Sequence, residues 1–158
     1  MNIKPKMKSI LLAEDDPDDI YLISEAVDEC KLDAVLSVVQ DGEELLDYLY
    51  NRGKYDTGQL KLRPDLILLD LNMPRKDGRE ALIEIKNDPT LRSIPVVVLT
   101  TSAAEEDLDS TYKSGASGFI TKPVSFGELR EIVNKIGAYW LKTVILPDNY
   151  ASEEVEEK

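Results

Sequence analysis

Residues 66–78 read LILLDLNMPRKDG, a run of four apolar residues that leads directly into an aspartate, Asp70. Four more short runs resemble it, the last more weakly: Ile10 to Ala13, Val35 to Val39, Val96 to Leu99 and Gly118 to Thr121. Short, continuous apolar runs are typical of strands that are covered on both faces of a sheet. Segments with helical spacing separate the runs, so the sequence predicts an alternating β/α chain.

Capping chemistry marks where several of these helices begin. Asp16 can accept from first-turn amides, and Pro17 suits the first helical position. Two further openings resemble capping boxes, Asp41 to Glu44 and Ser125 to Glu128. The last helix carries an apolar stripe at i, i+3, i+4, i+7 spacing that continues towards Tyr139 and Trp140: Leu129, Ile132, Val133 and Ile136.

Composition limits the function classes that are open to this chain. The 158 residues suit one domain, and the net charge of -12 disfavours nucleic acid and anionic membranes as partners. Histidine is absent, which excludes Ser-His-Asp triads, histidine-ligated zinc and imidazole bases. A single cysteine, Cys30, excludes an internal disulfide, and no apolar run approaches the ~20 residues of a membrane helix. We therefore expect a soluble, cytoplasmic protein.

Polar side chains follow the predicted strands at their carboxyl ends. Glu14 and Asp15 follow the first strand, and the remaining members follow the third, fourth and fifth strands: Asp70, Thr100 and Lys122. In a doubly wound sheet the carboxyl ends of the strands open into one crevice, where ligands bind. Carboxylates there suit Mg²⁺, and a carboxylate beside that cation and a lysine can attack a phosphoryl group to form an aspartyl phosphate.

The motifs LLAEDD, LILLDLNMPRKDG, VVVLTTS and GFITKP occur in the order and spacing of bacterial response-regulator receiver domains. The chain resembles that family from about Lys8 to Trp140. The resemblance implies an α/β, doubly wound, flavodoxin-like (βα)5 fold, a three-layer sandwich whose parallel sheet has the order 2-1-3-4-5. It further implies Mg²⁺-dependent phosphorylation of the chain itself and slow self-dephosphorylation, without turnover of an outside substrate.

The same resemblance implies a role for individual residues. Those that it assigns to chemistry and metal binding are the phosphoacceptor Asp70, Lys122, the switch hydroxyl of Thr100, the metal pair Glu14 and Asp15, and the backbone carbonyl of Asn72. Those that it assigns to other roles are Asn72 and Ser102 for phosphate lifetime, Phe119 as aromatic switch and Pro123 as a cis-proline. Glu14 stands where many receivers carry aspartate, and Phe119 replaces the frequent tyrosine.

Three further segments resemble the small regulators that are paired with phytochrome kinases. They are the Asn51 to Arg63 loop, the DGRE of Asp77 to Glu80, and Tyr139 to Pro147. This narrower resemblance implies a stand-alone receiver over residues 1–147, phosphorylated by a phytochrome-type sensor histidine kinase. It also implies a homodimer formed through the last helix and an extension at residues 141–147. Residues 148–158 are acidic, and we expect them to be disordered.

Some residues have more than one interpretation. Helix capping explains Asp16, Asp18 and Asp19, so we leave them out of the metal site. Ser102 lies three residues before Glu105 and could be a helix N-cap as well as a lifetime residue. Tyr139 and Trp140 either cover the core or form a dimer contact, and the apolar extension favours the contact.

The sequence argues against three alternative functions. A haloacid-dehalogenase-type phosphatase would carry a second aspartate two residues after the nucleophile, where this chain has Asn72. A scaffold that has lost the chemistry would have no need of Asp15, Asp70, Thr100 and Lys122. A nucleotide-binding domain is unsupported because the chain has neither a G-x-G-x-x-G nor a P-loop motif.

Overall fold

In the computed structural model, which describes residues 7–58, 63–102 and 104–147, five parallel strands form one sheet of order β2-β1-β3-β4-β5. The strands are β1 Lys8–Ala13, β2 Ala34–Val39, β3 Leu66–Leu69, β4 Val96–Thr100 and β5 Gly118–Thr121. This is the predicted doubly wound arrangement, and the predicted strand order is confirmed. The apolar runs form strands because helices cover both faces of the sheet.

Five helices connect and follow the strands: α1 Pro17–Glu29, α2 Gly42–Tyr50, α3 Gly78–Asn87, α4 Glu105–Lys113 and α5 Phe126–Gly137. Asp16 accepts from the amides of Asp18 and Asp19, so the predicted cap of α1 is confirmed. Asp41 and Ser125 likewise accept from the amides three residues on, as the capping boxes predicted.

The predicted N-cap role of Ser102 is wrong. Helix α4 begins at Glu105 with Ala104 at its cap, because the chain is still extended at Ala104. The Ser102 hydroxyl instead donates to the carboxylate of Asp107, in the first turn of the helix.

The core has two halves, one on each face of the sheet. Helices α2 and α3 pack on one face, with Leu45, Leu82 and Ile85 fully buried. Helices α1 and α5 pack together on the other face, where Ile23 and Val133 are buried. Helix α4 contacts the edge strand β5. This arrangement leaves the carboxyl ends of the strands free for the site.

Helix α5 continues as a π-helical segment, Ala138–Thr143, in which the Val144 amide donates to the Tyr139 carbonyl at 2.9 Å. Trp140 is half-buried against the core of the α1 and α5 face, whereas Tyr139 is 53% exposed. In the extension Leu146 is buried and Ile145 is 78% exposed. Trp140 therefore covers the core. The acidic tail, residues 148–158, which the sequence predicted to be disordered, lies outside the described residues.

The described part of the predicted loop after α2 contains one 3₁₀ turn, Gly53–Tyr55. Tyr55 packs edge-on against Tyr48, with ring centroids 5.1 Å apart, and so ties the turn to α2. Residues 59–62 of this loop lie outside the described residues. In the described parts of the chain, none of the helices has both the length and the apolar character needed to cross a bilayer.

Candidate functional site

Asp70 directly follows β3, and its side chain is buried between the ends of the neighbouring strands. Its backbone amide donates to the Ala13 carbonyl at 3.0 Å, which fixes the strand end against β1. The Thr100 hydroxyl donates to Asp70 Oδ1 at 2.7 Å, and the Asn72 amide reaches the same oxygen at 3.3 Å. One carboxylate oxygen therefore has two donors, while Oδ2 faces Lys122.

Lys122 follows β5 and brings its ammonium group to the same point. Its Nζ donates to a Glu14 oxygen, to Asp19 Oδ2 at 2.9 Å and to Asp70 Oδ2 at 3.3 Å. The lysine side chain is only 6% exposed. Burial by itself would lower the pKa of Lys122, but the hydrogen bonds and the negative field of these carboxylates outweigh burial and raise it. The ammonium form is thus held firmly in the site.

Glu14 is the buried member of the acidic pair that follows β1. Its Oε2 accepts from the amides of Asp15 and Asp16, at 3.1 Å each, while Oε1 faces Lys122. Burial raises the pKa of Glu14 to about 7, and the charge of Asp70 adds to this effect, although Lys122 opposes it. A cation bound here would favour the carboxylate form of Glu14.

Oxygens of Glu14, Asp15 and Asp70 lie within 4.8 Å of one another. Carboxylate oxygens this close together are the kind of ligands that would hold one hard divalent cation. Asp15 is exposed, so the site is open to solvent on one side. The donor set fits the divalent cation that the sequence predicted.

Two more predicted site residues are Ser102, which lies two residues after β4, and Phe119, which lies in β5. The Ser102 amide donates to Thr100 Oγ1 at 3.4 Å, so Ser102 contacts the switch hydroxyl. Phe119 is half-buried and packs against the core on the α2 and α3 face.

The prediction of a cis peptide bond before Pro123 is wrong in this structure, where the described residues contain no cis bond. An X–Pro bond prefers trans by about 0.5–1 kcal/mol. With the trans bond, the Lys122 amide still donates to the Thr100 carbonyl at 2.7 Å, so the lysine reaches the site without the rarer isomer.

Sequence reasoning missed Asp19, which helix capping explains without any role in the site. The first turn of α1 directs its carboxylate towards the strand ends, where it meets Lys122. The pairing crosses 103 positions of sequence, so helix-start chemistry could not reveal it. The available signal was spacing: Asp19 lies one turn beyond the acidic pair, on a helix that begins at the site.

The chain matches the response regulator receiver domain over residues 10–134, and it belongs to that family. It is therefore a receiver-domain signalling protein of the kind that works by phosphorylation and binds a divalent metal.

Within the receiver family, the chain is similar to regulators of phytochrome systems. The chain is 43% identical to response regulator Rcp1 of Synechocystis sp., over 89% of this chain and 93% of that protein. The chain is also similar to the crystal structure of the phosphorylated cyanobacterial phytochrome response regulator RcpA. The two share 46% of their sequence with a TM-score of 0.84, and the match covers 90% of this chain and 99% of RcpA. The crystal structure of the Mn²⁺-bound form of Rcp1 matches with a TM-score of 0.82 at 43% identity. That match covers 89% of this chain and 99% of the Rcp1 chain. The chain is thus homologous to phytochrome response regulators.

Proposed function

We propose that the chain is a single-domain response regulator that accepts a phosphoryl group on Asp70 in the presence of Mg²⁺. The observation that carries this proposal is the environment of one buried carboxylate. Asp70 has the Thr100 hydroxyl on one oxygen and the Lys122 ammonium on the other, and it belongs to a cluster of three carboxylates with Glu14 and Asp15. In this proposal residues 1–147 form the receiver, with the core at about 8–140 and the extension at 141–147.

In the proposed reaction an oxygen of Asp70 attacks the phosphorus of a kinase phosphohistidine. The P–O bond forms as the P–N bond breaks, and the histidine imidazole leaves with the electron pair. Lys122 pairs with a phosphoryl oxygen, and Thr100 turns its hydroxyl towards another. A cation held by the carboxylates would supply positive charge to the phosphoryl oxygens, and the protein's own contribution is positioning.

The proposed metal is Mg²⁺, which Asp15, Asp70 and the backbone carbonyl of Asn72 would hold, with Glu14 reaching it through water. Three carboxylates with one solvent-exposed side suit a cation that keeps several waters. Titration with Mn²⁺, followed by electron paramagnetic resonance and reversed with Mg²⁺, tests the site. Asp15→Asn should weaken binding strongly, and Asp18→Asn, which alters an exposed neighbour, should weaken it little.

The proposed phosphoryl donor is a sensor histidine kinase of the phytochrome type. The support is homology to phytochrome response regulators across nearly the whole of both chains. The test is transfer of radiolabel from an autophosphorylated phytochrome kinase to this chain, with a kinase of another sensor class as control. Faster transfer from the phytochrome kinase is expected, and equal rates would contradict this choice of partner.

The proposed output is a change of protein surface, since Thr100 contacts Asp70 directly and Phe119 packs nearby on the sheet. In this proposal Phe119 repacks as Thr100 moves, and Asn72 and Ser102 set the lifetime of the phosphoryl group. A high negative charge argues against nucleic acid or membrane as the target. A cytoplasmic protein partner fits that charge better.

We further propose a homodimer through α5 and the extension. Tyr139 and Ile145 are exposed there, and a neighbouring Leu146 is buried, which leaves an apolar surface beside an ordered segment. Light scattering should give a dimer for the wild type and a monomer for Ile145→Lys. Tyr21→Lys, on the exposed surface of α1, is the control and should leave the dimer intact.

An outside substrate is not part of this proposal. Asn72 stands where a phosphatase of the haloacid-dehalogenase type would carry its acid, and an amide cannot protonate a leaving group. Slow hydrolysis of the Asp70 phosphate would reset the switch. A para-nitrophenyl phosphate assay should therefore give no sustained turnover.

A further inference from the structure

Asp19 makes a contact that its role at the helix start does not require. Its amide already contributes to the helix cap by donating to Asp16. Its carboxylate leaves the helix surface and lies 2.9 Å from Lys122 Nζ, nearer than the 3.3 Å that separates that nitrogen from Asp70. Asp19 is half-buried, whereas Asp18 beside it is exposed.

The three carboxylates around Lys122 differ in what else they do. Glu14 and Asp70 belong to the cluster whose oxygens could hold a cation, and Asp19 does not. A bound cation and a phosphoryl group would engage Glu14 and Asp70. Among the described residues, Asp19 would then be the remaining carboxylate in contact with the Lys122 ammonium. An ammonium has three N–H donors, and in this site each has a carboxylate partner.

We propose, building on the function proposed above, that Asp19 is a positioning residue for phosphoryl transfer that keeps Lys122 Nζ over Asp70. A lysine ammonium is a point charge on a flexible four-carbon stem, so its position depends on its partners. Asp19 supplies a fixed partner because the Asp16 side chain caps the first turn of α1, and the Asp16 amide donates to Glu14, which directly follows β1. The Lys122 ammonium is then already in position when the phosphoryl oxygens arrive.

The test compares Asp19→Asn with Asp18→Asn, which removes the same charge from the same turn without touching Lys122. We measure the rate of phosphorylation by acetyl phosphate, the affinity for beryllofluoride at saturating Mg²⁺, and the affinity for Mn²⁺. Loss of an outer-shell partner that orients a metal ligand typically costs about 10–100-fold in activity. Asp19 orients Lys122 in a similar way, so we expect roughly a 10-fold slower reaction and weaker beryllofluoride binding in Asp19→Asn alone. Mn²⁺ affinity should change equally in both variants, because both lose one nearby charge.

A second arm separates positioning from a general effect. In a Lys122→Ala background the Asp19→Asn change should cause no further loss, because its effect acts through the lysine. Equal behaviour of Asp19→Asn and Asp18→Asn, in a wild type that is phosphorylated normally, would overturn this inference and leave the proposed function intact. The same holds if Asp19→Asn retains its full effect without Lys122. A wild type that is not phosphorylated at all would instead contradict the proposed function.

Discussion

Gly78 lies directly behind the phosphoacceptor, and replacing it with alanine should disturb the site through the backbone. The Gly78 amide donates to the Leu71 carbonyl at 2.9 Å, which closes the loop between β3 and α3. A Cβ at this position would lie 2.3 Å from the Asp70 carbonyl oxygen and 2.8 Å from Leu71 Cα. Both atoms belong to the backbone, so a side-chain rotation cannot relieve the overlap.

The size of the effect follows from the shift that the methyl group requires. Ordinary contact begins near 3.4 Å, so the loop must move by about 1 Å. Overpacking of this kind typically costs about 1–3 kcal/mol. For a domain of this size each kcal/mol lowers Tm by about 2–4 °C, so we expect a loss of about 4–8 °C for a cost of about 2 kcal/mol. A displacement of ~1 Å at a reacting group can slow chemistry by about 100-fold, so phosphorylation should fall more than stability suggests.

The assay pairs thermal unfolding with the rate of phosphorylation by acetyl phosphate. Gly127→Ala is the matched control, because nothing lies within 4 Å of its added Cβ and the residue is exposed in the first turn of α5. Alanine is the better helix former by up to about 1 kcal/mol, so the control should be as stable as the wild type or more so, with an unchanged rate. Wild-type Tm and rate in Gly78→Ala would refute the reasoning.

Thr100→Val should slow phosphorylation by roughly 10-fold or more, since a hydrogen bond to a charged group is worth about 1.5–3 kcal/mol, whereas Thr100→Ser keeps the hydroxyl and should stay near wild type; equal rates for the two would contradict the role of the hydroxyl. Arg79 and Ser102 donate to Asp107 and hold its pKa at about 2, so the stability that Asp107 contributes is complete above its ordinary value of 3.8 and is lost as the pH falls towards 2. In urea unfolding, the wild type should have a larger free energy of unfolding than Asp107→Asn, and this difference should shrink below about pH 4. A difference that stays constant with pH would contradict the role of the Asp107 carboxylate. A double-mutant cycle on Arg79 and Asp107, read by the same unfolding, should give a coupling energy above the ~0.5 kcal/mol of independent sites.

The sequence predicted the sheet well because its central strands, β1, β3 and β4, are short apolar runs covered on both faces. Leu66–Leu69 and Gly118–Thr121 begin and end where they were predicted, and β4 extends one residue further, to Thr100. The predicted caps at Asp16, Asp41 and Ser125 depend on neighbours within three residues, which is why local reasoning found them.

Features that depend on distant parts of the chain were harder to predict. The proximity of Glu14, Asp70 and Lys122 could be predicted because the carboxyl ends of parallel strands meet at one edge of the sheet. The contact of Asp19 with Lys122 could not, because it depends on which way helix α1 faces. Tyr139 and Trp140 are adjacent and chemically alike, and only the turn of the π-helical segment determines that Trp140 packs on the core while Tyr139 is exposed. The isomer before Pro123 is a choice between states that differ by about 1 kcal/mol, which local sequence does not decide.

The most direct test of the central claim is the intact mass of the wild type and of Asp70→Asn after incubation with acetyl phosphate, with and without Mg²⁺. Addition of one phosphoryl group to the wild type, dependent on Mg²⁺ and absent from Asp70→Asn, is the predicted result. A parallel sample with beryllofluoride, which mimics the phosphoryl group but is not hydrolysed, guards against rapid loss of the product. An unmodified wild type that also fails to bind beryllofluoride, or an Asp70→Asn variant that gains the same mass, would contradict the assignment of Asp70 as phosphoacceptor.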